Sequence, residues 1–249
     1  MPHISLSAEE LFRIAGLPVT NTLLLSTIIL LGLSLGAFLI WRKLALVPGR
    51  VQNIAEMFIE SALGIMDSVL GSRRKSEQYL PLVATIFLFI LISNWFGLIP
   101  GVGSIGLEFE DGGHAVFAPL LRAPSSDLNF TLAIAIISVV AINLFGIISL
   151  GFFSHIGKFL NFRSPIKFFI GILELVSEVA KVISFSFRLF GNIFAGEVLL
   201  VIIAFLVPYI IPFPFLLLEV FVGFIQAFVF AMLSLVFIAI GTMEHAEAH

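Results

Sequence analysis

Charged and amide side chains occur together in the part of this sequence least suited to them. The stretch from Glu174 to Glu197, ELVSEVAKVISFSFRLFGNIFAGE, is interleaved with Phe, Leu, Ile and Val, yet carries Glu174, Glu178, Lys181, Arg188, Asn192 and Glu197. Ionisable groups in such surroundings are costly unless they face water, a counter-charge or a partner, so their retention marks an ion path. On a helix turning about 100° per residue, Glu174, Ser177, Lys181, Ser184 and Asn192 lie within about 40° of Arg188. Glu178 lies about 80° away and Glu197 on the opposite side. A guanidinium stays protonated at any physiological pH, so Arg188 cannot itself carry a proton. It can draw a carboxylate towards it, favour that group's ionised form, and repel passing cations. Phe185, Phe187, Leu189 and Phe190 keep the local dielectric low and strengthen these effects. Glu178 and Glu197 stand about 15 Å and about 13.5 Å along the axis from Arg188, too far to pair with it on a straight helix. Its acidic counterpart must come from elsewhere.

The next apolar run offers Glu219, Gly223 and Gln226 on one helical face. Gln226 can reach towards Arg188, and Gly223 permits close backbone approach. Glu197 and Glu219 each lie a few turns from the Pro208, Pro212, Pro214 cluster and are expected to meet across the hairpin it makes. Two carboxylates in poor solvent cannot both ionise cheaply, so such a pair can hold and release a proton near neutrality. This predicts an outer access path at Glu197 and Glu219. An inner path would use Glu174 and Glu178, nearer Lys167, although Glu178 and Lys181 also read as an ordinary i, i+3 ion pair.

Composition sets the solvent. Hydrophobic residues make up 59% of the 249 and charged residues 12%, with a mean hydropathy of +1.14. Soluble domains carry about 25% charged residues, so this is an integral membrane protein. Runs longer than the roughly 20 residues needed to cross a bilayer favour helices over a β-barrel. With no cysteine, disulfides and thiolate chemistry are excluded. His3, His114, His155, His245 and His249 lie outside the deep apolar runs, which argues against haem or zinc within the membrane. HExxH, GxSxG and GxxxxGK[ST] are absent, and no cofactor is implied. Net charge is −3 with no basic tract, so nucleic acid is not a partner.

The elements that must position these residues are read as an all-α membrane protein of about five crossing helices plus one interfacial amphipathic helix. The chain reads as a single membrane domain, 1–249. Ser7 and Glu10 form a capping box, with Leu6 and Leu11 as a staple, predicting a short helix to about Ala15. The first span is 21–40, closed by Trp41-Arg42-Lys43. Arg50, Asn53, Glu56, Glu60 and Asp67 recur at helical spacing against Ile54, Phe58, Ala62, Ile65 and Val69. Residues 50–70 are therefore an amphipathic helix lying in the interface. The second span is 79–99, followed by Pro100-Gly101 and a Gly-rich polar connection over 101–127. The third span is 128–153. Residues 165–207 contain no interior proline and would measure about 65 Å as one helix, against a hydrocarbon core of about 30 Å. Together with 215–243 they are expected to form a long, steeply tilted helical hairpin carrying the ion pathway. Residues 41–78 hold six Lys and Arg, residues 101–127 one, and residues 154–167 three. Positive charge favours the cytoplasmic side, which places the N-terminus outside and the C-terminus in the cytoplasm. A self-contained proton- or ion-coupled transporter is the alternative reading. It lacks an evident repeat and an internal carboxylate placed to meet Arg188.

Four stretches carry a family resemblance: Ser184-Phe-Ser-Phe-Arg188-Leu-Phe-Gly-Asn192-Ile-Phe-Ala-Gly-Glu197, Leu121-Arg-Ala-Pro-Ser-Ser-Asp-Leu-Asn129, Asn94-Trp-Phe-Gly-Leu-Ile-Pro-Gly101 and Gln226-Ala-Phe-Val-Phe. Over essentially its whole length the chain resembles subunit a of F-type (rotary) ATP synthases. The resemblance implies a non-catalytic stator channel beside a rotating c-subunit ring whose carboxylates carry protons, or Na+. It also implies b-type peripheral stalk and other synthase subunits as partners, within a lipid bilayer that is most simply a bacterial plasma membrane. Arg188 matches the essential arginine that separates two half-channels. Asn192, Glu197, Glu219 and Gln226 match positions of the outer half-channel and arginine environment, and Glu174 and Ser184 positions of the inner one. Some members carry His at one of the Glu197 and Glu219 positions, where this sequence has Glu at both.

Overall fold

The computed structural model describes residues 8–14, 16–99, 102, 105–111, 114–159, 165–207 and 210–242. His3, Leu6, Ser7, Ala15, Pro100, Gly101, Arg163, Pro208, His245 and His249 lie outside the described residues.

Five helices are long and apolar enough to cross a membrane: α1 (Asn21–Arg42), α3 (Arg73–Phe96), α4 (Leu128–Leu150), α6 (Pro165–Leu206) and α7 (Pro212–Thr242). Between the first two lies α2 (Arg50–Leu70), the amphipathic segment, which ends where Gly71 adopts a left-handed φ of 66° and donates its N–H to the Asp67 carbonyl. An eight-residue helix, α5 (Phe152–Phe159), joins α4 to α6.

Four readings need correction. Residues 10–20 are not helical but an antiparallel pair, β1 (Glu10–Ile14) and β2 (Leu17–Thr20). So short a helix cannot repay its own nucleation, whereas Gly16, at φ 85°, turns the chain back on itself. The connection before α4 is not uniformly irregular: β3 (Gly106–Asp111) pairs with β4 (His114–Pro119). The alternation in Leu107-Glu108-Phe109-Glu110, followed by Gly112-Gly113, was the available signal. The second span begins at Arg73 rather than Tyr79, because Pro81, the ninth residue of the helix, lacks only its own N–H donor and does not stop the turns before it. The third stops at Leu150 rather than 153, because Gly151 takes φ 84° and separates α4 from α5.

Helices α3, α4, α6 and α7 pack about one core of Ile86, Ile90, Ala135, Phe185, Leu189 and Phe230. A second cluster, including Met66, Tyr79, Ile142 and Leu235, seats α2 against α3, α4 and α7. With little hydrophobic drive between helices in lipid, small residues and polar bonds set the approach. Asn94 Nδ2 donates to the Gly223 carbonyl at 2.8 Å and Trp95 Nε1 to the Val220 carbonyl at 3.0 Å, clamping α3 onto α7. Thr131 and Ser186 hydroxyls meet at 3.0 Å between α4 and α6. Helix α1 is held at its first turns, where Asn21 Nδ2 donates to the Pro119 carbonyl and the Thr22 hydroxyl donates to Asp127 Oδ2 at 2.8 Å.

The long pair α6 and α7 is the hairpin expected from the sequence. An unbroken α6 of 42 residues is about 63 Å long, more than twice a bilayer core. Ordinary tilts below about 40° accommodate only ~39 Å of helix within that core, so α6 lies steeply over or projects beyond it.

Candidate ion pathway

Arg188 stands exposed on α6. Its Nη2 donates to Ser184 Oγ, one turn earlier, at 3.3 Å. Phe185, Leu189, Gln226 and Phe230 line a narrow cleft beside it, which brings the α7 amide next to the guanidinium. Among the described residues Arg188 forms no ion pair. A fixed cation on an apolar, outward face is stable in a membrane only if another molecule supplies its counter-charge or water. Asn192 and Glu174 are also exposed, so both lie open on the outside of the same helix.

Glu178 behaves otherwise. It turns into the bundle, where Oε2 accepts from Asn143 Nδ2 of α4 at 3.0 Å and Oε1 from Lys181 Nζ at 2.5 Å. Lys181 in turn lies 4.8 Å from the centre of the Phe237 ring of α7. Side-chain exposures of 16% and 18% make this a largely desolvated pair that ties α6 to α4 and α7.

Glu219 is buried on α7, with its carboxyl over Gly196 of α6, in the space a side chain at that position would fill. Gly196 directly precedes Glu197, so the hairpin does bring the two carboxylate positions to one level. The charge that meets Glu197 is nevertheless cationic. Arg122, which precedes a 3-10 turn at Pro124–Ser126, places Nε 3.8 Å from Glu197 Oε1. Sequence reasoning counted Arg122 towards topology and within a stretch of family resemblance, and gave it no role at the site. Its signal was its place as the single Lys or Arg in the 101–127 connection, five residues before the Asp127 cap of α4.

The polar set thus spans the bundle from Glu197 and Glu219 near one end of the hairpin, past Arg188 and Gln226, to Glu174 towards the other. The ATP synthase A chain family matches residues 22–239, which include every one of these positions. The chain belongs to that family. A relative named ATP synthase subunit a from Moorella thermoacetica is 35% identical over 230 residues, covering 92% of this chain and 94% of its own. Another of the same name from Campylobacter jejuni is 37% identical over 216 residues, 86% and 85% of the two chains. A third, from Aliarcobacter butzleri, is 35% identical over 209 residues, 84% and 82%. The family match begins at residue 22, after the β1–β2 hairpin, and includes the β3–β4 hairpin, the Arg122 segment and both long helices.

Proposed function

We propose that this multi-pass membrane protein is the stator proton-channel subunit of an F-type ATP synthase, coupling proton flow to ATP synthesis. The observation that carries the reading is Arg188: a permanent cation, exposed on the long α6, with no ion pair among the described residues and with polar groups above and below it. The chain itself is non-catalytic and supplies a route.

Protons enter from the outer side by way of Asn192, Glu197, Glu219 and Gln226. They pass to carboxylates on a rotating c-subunit ring that runs along the exposed face of α6, and leave on the inner side by way of Glu174 and Ser184. Glu178 belongs to the inner half as a fixed charge bound to Lys181 and Asn143. Arg188 lies between the halves. It attracts each arriving ring carboxylate and favours its ionised form, while its own charge bars a proton from crossing directly. The two half-channels are offset, so passage requires the ring to turn. b-type peripheral stalk subunits and the remaining synthase subunits hold the chain against that motion. The distribution of Lys and Arg supports an N-terminus outside and a C-terminus in the cytoplasm. The membrane of this reading is a bacterial plasma membrane.

The test is Arg188→Ala in the assembled complex. The variant should co-purify with its partners at wild-type levels while ATP-driven proton uptake into vesicles is lost. Uptake that survives the substitution would end this reading.

A further inference from the structure

We infer that Arg122 is a positioning residue for Glu197, fixing its carboxylate where α6 passes the Pro124–Ser126 turn; this rests on the reading of Glu197 as part of the outer half-channel. Arg122 is only 8% exposed, although it belongs to a connection rather than a helix. Its Nε donates to Ser126 Oγ at 3.2 Å, and its Nη2 reaches the Ser126 carbonyl at 3.5 Å. The guanidinium is thereby held by its own segment and cannot simply follow Glu197.

That segment is itself secured from two sides. Asp127 Oδ1 accepts from the Asn129 N–H at 2.9 Å, and Oδ2 accepts from the Thr22 hydroxyl of α1. The cation facing Glu197 is therefore fixed to α1 and α4, not to α6. Glu197 shows the matching asymmetry. Oε1 faces Arg122 at 3.8 Å, while Oε2 is buried with no hydrogen-bond partner. A carboxylate with one oxygen turned to a fixed cation has its other oxygen aimed, and that oxygen is the one free to take a proton. Charged groups approach this level from each neighbouring element: Arg122 and Asp127 from the connection before α4, and Glu219 from α7. Arg188 is about 13.5 Å along α6 itself. Among the described residues, Arg122 is the cation within ion-pair distance of Glu197.

The experiment is a double-mutant cycle in the assembled complex, read as ATP-driven proton uptake per complex in vesicles. Misplacing a reacting group by about 1 Å can cost up to about a hundredfold, so Arg122→Gln should lower uptake between about tenfold and that limit. Arg122→Lys, which keeps the charge, should recover most of the loss. Adding Arg122→Gln to Glu197→Gln should cost nothing further, whereas adding it to Glu174→Gln should multiply the two effects. Multiplicative loss with Glu197→Gln, or equal loss in Arg122→Lys and Arg122→Gln, would overturn the inference while leaving the channel reading intact. Unchanged uptake in Glu197→Gln alone would remove both the outer path and the inference built on it. If Arg122→Gln fails to assemble, the Arg122→Gln/Glu197→Gln pair decides. Recovered assembly supports the coupling, and continued failure assigns Arg122 to its own segment through Ser126.

Discussion

Gly196→Ala separates the stability of the hairpin from its transport. The added methyl would occupy the volume of the Glu219 carboxyl, the far end of a flexible side chain. The backbone has no reason to move; Glu219 must swing away instead. Alanine in place of glycine favours a helix by about 1 kcal/mol, and one buried methyl contributes about 0.8 kcal/mol more. Against this stands the loss of an ordered carboxyl contact, so the balance for folding lies within about 1 kcal/mol of zero. Transport has no such compensation, because a proton relay depends on distance, and displacement by about 1 Å can cost up to a hundredfold. Assembly, measured by co-purification, should therefore stay near wild type while ATP-driven proton uptake falls at least about tenfold. Gly64→Ala on α2, where a methyl meets nothing within 4 Å, is the control and should change neither. Wild-type uptake by Gly196→Ala would refute the argument that Glu219 works from its place over Gly196.

Three further outcomes follow from the packing. Gly223→Ala puts a methyl 3.1 Å from Asn94 Cβ and 3.5 Å from the Trp95 ring, on the clamp between α3 and α7; overpacking of this kind costs about 1–3 kcal/mol and should lower the melting midpoint of the complex. Lys181→Met strands the Glu178 carboxylate, which should destabilise by up to about 3 kcal/mol, and Lys181→Met/Glu178→Leu should recover most of that loss in the same melting assay. Asp67, on α2, is held below the usual carboxylate range by the neighbouring Ser76 side chain and by the Arg73 guanidinium, with partial desolvation opposing them. A lowered value means that its contribution is complete above the unfolded pKa of about 3.9 and fades as pH falls through the folded one. Asp67→Asn should thus melt earlier than wild type at neutral pH, and the gap should close in acid.

Hydropathy made the membrane helices legible, because five apolar runs leave the backbone no alternative to helix within lipid. The unbroken α6 was legible too: between Pro165 and Leu206 nothing interrupts its hydrogen bonding. What failed were the segments governed by turns. Glu10 and Arg13 pair at i, i+3 as they would on a helix, at 2.9 Å, yet Gly16 sends the chain into a hairpin. Among the polar residues, spacing on one helix grouped Glu174, Ser184, Arg188 and Asn192, which are exposed on α6, but also Lys181, which the structure turns into the bundle against Glu178 and Phe237. It could not reveal what other elements bring. Asn143 on α4, which captures Glu178, and Arg122, which meets Glu197, are 35 and 75 residues away in sequence from their partners. Periodicity along one helix carries no information about such contacts.

The attachment of α1 has a mechanical consequence. Its buried residues, Asn21, Thr22, Leu25, Ser26 and Ile29, all fall within its first nine positions, and the remainder of the helix is exposed or half-buried. Bonds at one end only make a lever, not a wall. Sideways drag on α6 would be carried into α3, α4 and α7, which share its core, whereas α1 is bonded only through its first turns. The three-helix plate of α3, α4 and α7 behind α6 would bear the load.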